Sequence, residues 1–219
     1  MFQKLNKYPR TYYLPFSPGI DRPDQVVHLP DFLGKIFAIT IKMDGSNATM
    51  TSEHIAARNG QDALHPSFNA LKAIHAIYKN QLHGQWFGEW LWAKHSIHYQ
   101  EKSALTDYWQ VFAHFDGIQF ESFQALKCRA EIIGWKTVPL LGLYRFQRTS
   151  QLEEVIWRLF SSVIEKGHEG LVLWPWSWSF RPEDFSKNVA KIVREGHVQT
   201  DEHWSQQSIV RNKKIEKEK

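Results

Sequence analysis

Ile36-Phe-Ala-Ile-Thr-Ile-Lys-Met-Asp-Gly-Ser-Asn47 alternates its side chains up to Lys42 and then breaks at Asp44-Gly45. Period-two alternation closed by Asp-Gly predicts a β-strand that feeds a hairpin. In that register Ile36, Ala38, Thr40 and Lys42 share one face, while Phe37, Ile39 and Ile41 share the other. A lysine at the mouth of such a strand has an ordinary reading: the stem lies on the sheet and the ammonium reaches water. It also has a chemical one, because desolvation lowers an amine's pKa toward the neutral, nucleophilic form. The rest of the chain decides between them.

Upstream, prolines at 9, 15, 18, 23 and 30 exclude regular helix. The segment Tyr8–Gly19 is therefore read as extended, with aromatics that pack rather than face water. Downstream, Asn47–Ser52 reads as the return strand and Ala57-Arg-Asn-Gly60 as a strand end and turn. Pro66 to Leu82 has helical spacing through Phe68, Leu71, Ile74 and Ile77 or Tyr78. Gln85–Ala93 and Tyr108–Phe115 are strands. Ser122 opens a helix capped by Gly134, and Val138–Tyr144 is a strand. Ser150-Gln-Leu-Glu153 is a capping box for a helix that Gly167 ends. Glu169–Trp174 and Asn188–Arg194 complete the set. Strands and helices interleave without strict βαβα alternation, which predicts an α+β fold with antiparallel sheets flanked by helices.

With 219 residues, 42% of them hydrophobic, and ten tryptophans, the chain has material for one large domain over residues 1–204. Residues 205–219 read as a charged, solvated tail. Of the net charge of +4, Arg211–Lys219 alone supplies five basic and two acidic residues, so the body is nearly neutral. A nucleic-acid partner is permitted by charge and not demanded by it. No apolar run approaches the ~20 residues of a membrane span, and the N-terminus lacks the apolar core of a signal peptide. The single cysteine, Cys128, excludes an internal disulfide and suits a reducing cytoplasm.

Polar residues interrupt several apolar strands: Lys42 with Asp44, then Arg58, Glu89, Glu169, and Lys191 with Arg194. Singly, each is an ordinary strand-end charge. Together they place bases and carboxylates at the tips of different strands, a composition suited to a phosphorylated ligand and a divalent cation.

Their order is more specific. Lys42-Met-Asp-Gly45, Arg58-Asn-Gly, Phe87-Gly-Glu89, Glu169-Gly-Leu-Val and Ala190-Lys-Ile-Val-Arg194 together resemble the motif series of the covalent nucleotidyltransferases. These are the ATP-dependent DNA and RNA ligases and the mRNA-capping guanylyltransferases, and the match is closest to the RNA ligases. Glu89–Tyr99, Arg10–Gly19 and Lys191–Trp204 with His197-Val-Gln-Thr also look like RNA-ligase segments, so the resemblance runs from about residue 8 to 204.

The resemblance implies a nucleotidyltransferase domain with a nucleotide cleft between its sheets. It implies that Lys42 takes AMP from ATP, that AMP passes to a 5′-phosphate end of RNA or nicked nucleic acid, and that a 3′-hydroxyl then seals it. Such chemistry serves RNA repair. Lys42 and Lys191 would be catalytic, with a lowered Lys42 pKa. Asp44, Gly45, Asn47, Arg58, Glu89, Phe112, Glu169 and Arg194 would bind the nucleotide, and Glu169 would hold Mg2+ or Mn2+. Alternatives are a DNA ligase, a guanylyltransferase, or a non-catalytic RNA- or nucleotide-binding relative.

Three positions depart from the family pattern. Ile41 stands where many RNA ligases have glutamate, and Ala113 where aspartate follows the stacking aromatic. Arg194 lies three residues from Lys191, where relatives often place two lysines two apart, so it would share that face only with a bulge. His95 and His98 lack a third clustered ligand and do not read as a zinc site. Trp174-Pro-Trp-Ser-Trp178 reads as packing before base stacking.

Overall fold

The alternating run becomes a strand, β2 (Ile36–Lys42), and its two faces meet different surroundings. Phe37 and Ile39 enter one apolar cluster with Leu171, Leu173 and Ile192. Ala38 enters another, with Trp174, Phe87 and Phe120. The computed structural model describes residues 5, 7–100, 105–196 and 209–215. Around β2, a five-stranded sheet is completed by β1 (Tyr12–Tyr13), β8 (Leu140–Arg145), β9 (Gly170–Pro175) and β10 (Ala190–Val193), in the order β1-β10-β9-β2-β8. A second five-stranded sheet, in the order β4-β3-β5-β6-β7, is formed by β3 (Ser46–Met50), β4 (Ile55–Ala57), β5 (Gln85–Trp90), β6 (Trp109–Phe115) and β7 (Lys136–Thr137). Helices α1 (Asn69–Tyr78), α2 (Phe123–Ile132), α3 (Thr149–Glu165) and α4 (Phe185–Asn188) flank the sheets. The fold is mixed α+β, as the interleaving predicts.

Helix α3 closes the outer face of the first sheet with a stripe of buried Leu152, Ile156, Phe160 and Val163. Their spacings of three and four residues keep them on one side of the helix. The N-terminal segment is stitched to β10: Leu14 N–H donates to the Lys191 carbonyl at 2.8 Å and Gly19 N–H to that of Val193 at 2.9 Å. Among the described residues no helix is long and apolar enough to cross a membrane.

Four expectations are corrected. Asp44-Gly45 is not a hairpin turn: β2 pairs with β8 and β9, and β3 pairs with β4 and β5. A tight two-residue hairpin turn needs positive φ, and neither residue has it. Met43–Gly45 instead carries the chain from one sheet to the other. Val138–Tyr144 is likewise split. Val138 N–H donates to Val111 O in the second sheet, while the Pro139 carbonyl accepts from Ile41 N–H in the first. Residues 46–137 are therefore one continuous excursion that builds the whole second sheet. Third, Ser150 lies inside α3; Arg148 is the N-cap residue, and the Gln151 side chain accepts from Gln147 N–H. Fourth, residues 209–215 of the supposed tail pack on the domain, with Asn212 only 2% exposed. His197–Thr200 and Trp204 lie outside the described residues.

Strands β9 and β10 approach closely at Gly170, where an added Cβ would stand 2.0 Å from the Ile192 carbonyl oxygen. Backbone cannot yield as a side chain can. Gly170→Ala should therefore cost about 1–3 kcal/mol, as overpacking does, read as a lowered thermal unfolding midpoint.

Candidate active site

Lys42 ends β2 opposite Gly170 of β9, and Glu169 stands just before that strand. The antiparallel register thus sets the two charges side by side: Lys42 Nζ donates to Glu169 Oε2 at 2.6 Å. The pair lies in a cavity of about 760 Å³ between the inner faces of the sheets, a size typical of small-ligand sites.

The crossover past Lys42 is held from the second sheet. Gly45 N–H donates to Glu89 Oε1 at 3.1 Å. Asp44 N–H donates to the Tyr99 hydroxyl at 3.0 Å, and Asp44 Oδ2 accepts from Ile97 N–H at 2.5 Å. A Cβ at Gly45 would stand 2.7 Å from the Trp90 carbonyl, so the close approach requires glycine. Ser46 Oγ and His95 Nε2 are 3.0 Å apart.

Phe112 reaches the cavity through a register shift. Phe87 pairs with Ala113 and Gly88 with Val111, leaving Phe112 as the extra residue of a bulge. Bulges re-aim side chains beside functional sites, and Phe112 lines the cavity with Tyr8 packed edge-on at 5.1 Å. Ala113 sits in the apolar core, fully buried. Ile41 packs against both apolar clusters and also reaches the cavity wall.

Of the residues singled out from sequence, Lys42, Asp44, Gly45, Asn47, Arg58, Glu89, Phe112, Glu169 and Lys191 all line this cavity. Arg194 does not. Strand β10 runs without a register shift, so no bulge carries Arg194 onto the Lys191 face. Its backbone N–H donates to the Glu169 carbonyl instead. Sequence reasoning assigned no role to Arg10, Tyr13, Asp21 and Arg22, which line the cavity beside Lys191. Lys191 Nζ lies 3.9 Å from the Tyr13 ring centre, and the Tyr13 hydroxyl donates to Asp21 at 2.6 Å. Arg10 and Tyr13 fall in the N-terminal segment singled out from sequence, whereas Asp21 and Arg22 lie just beyond it.

Charges crowd the floor. Burial pushes the Glu89 carboxyl up to about 8: Lys42 opposes this, while Glu169 and Asp44 add to it. Burial likewise pushes Asp44 up to about 6. Burial and the nearby Lys42 charge draw Lys191 down to about 8. Lys42 runs against expectation. Burial alone would lower its pKa, yet the Glu169, Glu89 and Asp44 carboxylates outweigh that and hold it above its ordinary value.

Among the described residues no group of three His, Cys, Asp or Glu side chains is disposed to hold a metal. Four carboxylate residues, Asp21, Asp44, Glu89 and Glu169, line the cavity, as does Asn47, whose Oδ1 is buried with no hydrogen-bond partner. Such a set fits a hard divalent cation that takes one or two carboxylates and completes its shell with water and phosphate oxygens.

The RNA ligase family model matches residues 35–193, most of the chain. This chain belongs to the RNA ligase family. No curated protein sequence matches it. An archaeal ATP-dependent RNA ligase, in its second solved form, is similar with a TM-score of 0.59 at 14% identity, over 86% of this chain and 48% of that one. A putative ATP-dependent DNA ligase from Aquifex aeolicus gives 0.56 at 18% identity, over 86% and 50%. The Naegleria gruberi RNA ligase solved with PPi gives 0.51 at 18% identity, over 91% and 60%. The chain thus spans about half the length of the first two, and these likenesses show the fold that its body shares with all three.

The carboxyls have a consequence for stability. Between the ordinary carboxylate pKa and about 8, folded Glu89 holds a proton that the unfolded chain releases. The folded state binds more protons there, so stability falls as pH rises through that window. Asp44 acts in the same sense only to about 6. Thermal midpoints of the unliganded protein should drop between about pH 5 and pH 8, and Glu89→Gln should flatten the upper part of that slope.

Proposed function

We propose that this chain is the nucleotidyltransferase part of an ATP-dependent RNA ligase. The observation that carries the reading is Lys42, paired with Glu169 at 2.6 Å in a cavity that also holds Arg58 and Lys191. Lys42 Nζ attacks the α-phosphorus of ATP; an N–P bond forms, the bond to the β-phosphate oxygen breaks, and pyrophosphate leaves with the electron pair. The ammonium must first lose a proton, and the Glu169 carboxylate is the group placed to share it. A 5′-phosphate oxygen of an RNA end then takes AMP from Lys42. A 3′-hydroxyl attacks the activated phosphate, and AMP departs.

The residues divide the work. Arg58 and Lys191 neutralise phosphate charge as it shifts in the transition state. Glu89 serves the ribose, and Phe112 offers its ring to adenine. Asp44 and Gly45, tied to Tyr99 and Glu89, order the turn beyond the nucleophile. Asn47 Oδ1 offers an acceptor to a ribose hydroxyl or a metal-bound water. Mg2+ or Mn2+, held by Glu169 and phosphate oxygens, would offset phosphate charge and favour the neutral Lys42 amine. The exposed, unpaired Cys128 suits a reducing cytoplasm, and RNA repair is the corresponding role.

Incubation with α-labelled ATP and a divalent cation should label the protein covalently, and Lys42→Ala should abolish the label. Lys191→Ala should slow labelling by roughly 100-fold, the scale of removing one preorganised charge donor. A labelled Lys42→Ala protein would refute the reading, and an all-DNA nick sealed in preference to RNA would redirect it to a DNA ligase.

A further inference from the structure

The family match ends at residue 193, yet a later segment grips the loop that shapes the nucleophile turn. Residues 209–215 run along residues 91–99 and reach Leu105. Lys94 N–H donates to the Val210 carbonyl at 2.7 Å, and Leu105 N–H to that of Lys213 at 2.9 Å. The Arg211 guanidinium lies 4.0 Å from the Trp92 ring centre. Asn212 is the hub. Its Nδ2 donates to the Leu91 carbonyl at 2.9 Å and the Ala93 carbonyl at 3.0 Å, and its Oδ1 accepts from Tyr99 N–H at 3.0 Å. Its backbone N–H donates to the Trp92 carbonyl at 2.9 Å, and its own carbonyl accepts from the Tyr108 hydroxyl at 2.9 Å.

Tyr99 is held on both backbone groups, because Lys213 N–H donates to its carbonyl at 2.8 Å. Its side chain points the other way along the same chain of contacts: the hydroxyl accepts from Asp44 N–H at 3.0 Å. Ile97, from the same loop, holds the Asp44 carboxylate. The path from Asn212 through Tyr99 to Asp44 therefore ends two residues from Lys42, with every link a hydrogen bond.

We propose that Asn212 is a positioning residue for Lys42, and that the 209–215 strap belongs to the adenylation machinery although it lies outside the family match. The proposal rests on Lys42 being the nucleophile. Without the Asn212 side chain, two buried carbonyls and one N–H lose their partners. The 91–99 loop then shifts to recover them, carrying the Tyr99 hydroxyl away from Asp44. A displacement of about 1 Å at a reacting group can cost about 100-fold in rate.

The test is a double-mutant cycle on lysyl-adenylate formation with Asn212→Ala and Tyr99→Phe, the latter removing only the hydroxyl. Asn212→Ala should lower the adenylation rate about 10- to 100-fold with the apparent KM for ATP unchanged, because the loss falls on the reacting geometry. The double variant should be no slower than Asn212→Ala alone, since both act through one path. Additive losses, a raised KM at unchanged maximal rate, or wild-type labelling by a folded Asn212→Ala protein would overturn the proposal. Asn212→Ser replaces Asn212→Ala if the latter fails to fold, and the same readings apply. A wild-type chain that takes no label would instead refute the ligase reading itself.

Discussion

The register between β2 and β9 is the constraint on which the site depends. It pairs Lys42 with Gly170 and so brings Lys42 to Glu169. A slip of one residue would turn Lys42 away from the cleft and toward the apolar cluster beneath α3. Phe37 and Ile39 hold the register by filling that cluster with Leu171 and Leu173. Hydrophobic burial on one face of the strand thus sets the ionic contact on the other. The ion pair is a poor source of stability, because desolvating two charges offsets much of their attraction. Its geometry comes from the core behind it.

The alternation of residues 36–42 made β2 and its two faces legible, since period two depends only on neighbours. Lys42, Glu89, Glu169 and Lys191 were legible as polar residues at strand tips, and all four line one cavity. The Asp44-Gly45 turn was misread because local sequence carries no record of which sheet receives the next strand. Asp-Gly suits a hairpin, but Gly45 is needed here for its close approach to Trp90. Pro139 gave a comparable hint of a break between β7 and β8, obscured by apolar residues on both sides. Asn212 reads as part of a charged tail, and its burial arises from partners such as Tyr99 and Leu91, 113 and 121 residues away. The direction of the Lys42 pKa was also out of reach. Desolvation could be inferred from a strand position, whereas two of the three carboxylates that oppose it, Glu89 and Glu169, arrive from distant segments.

The topology explains why the cleft exists. The chain leaves the first sheet at Met43 and returns at Pro139, so the second sheet is anchored to β2 and β8 at two neighbouring points. Ile41 N–H donates to the Pro139 carbonyl at 2.9 Å, which joins the exit to the return. The cavity between the sheets so joined is lined by residues of both, among them Lys42 of the first, with Glu169 just before β9, and Asn47 and Glu89 of the second. Lys42 lies beside that join, while Lys191 is brought in by β10 and the N-terminal segment stitched to it.

This arrangement leaves the unliganded cleft electrostatically unsettled. Glu89 and Asp44 are pushed toward neutrality, and Lys191 toward losing its proton, because each is short of water and close to charges of its own sign. Each shift marks a free-energy cost borne by the folded state. A ligand that brings both phosphate anions and a divalent cation answers the two kinds of crowding at once, with anions for the bases and a cation for the acids. Such a ligand binds the folded state alone and stabilises it by mass action. The same strained charges that weaken the empty domain therefore give it affinity for a metal-bound nucleotide, and they place that affinity around Lys42.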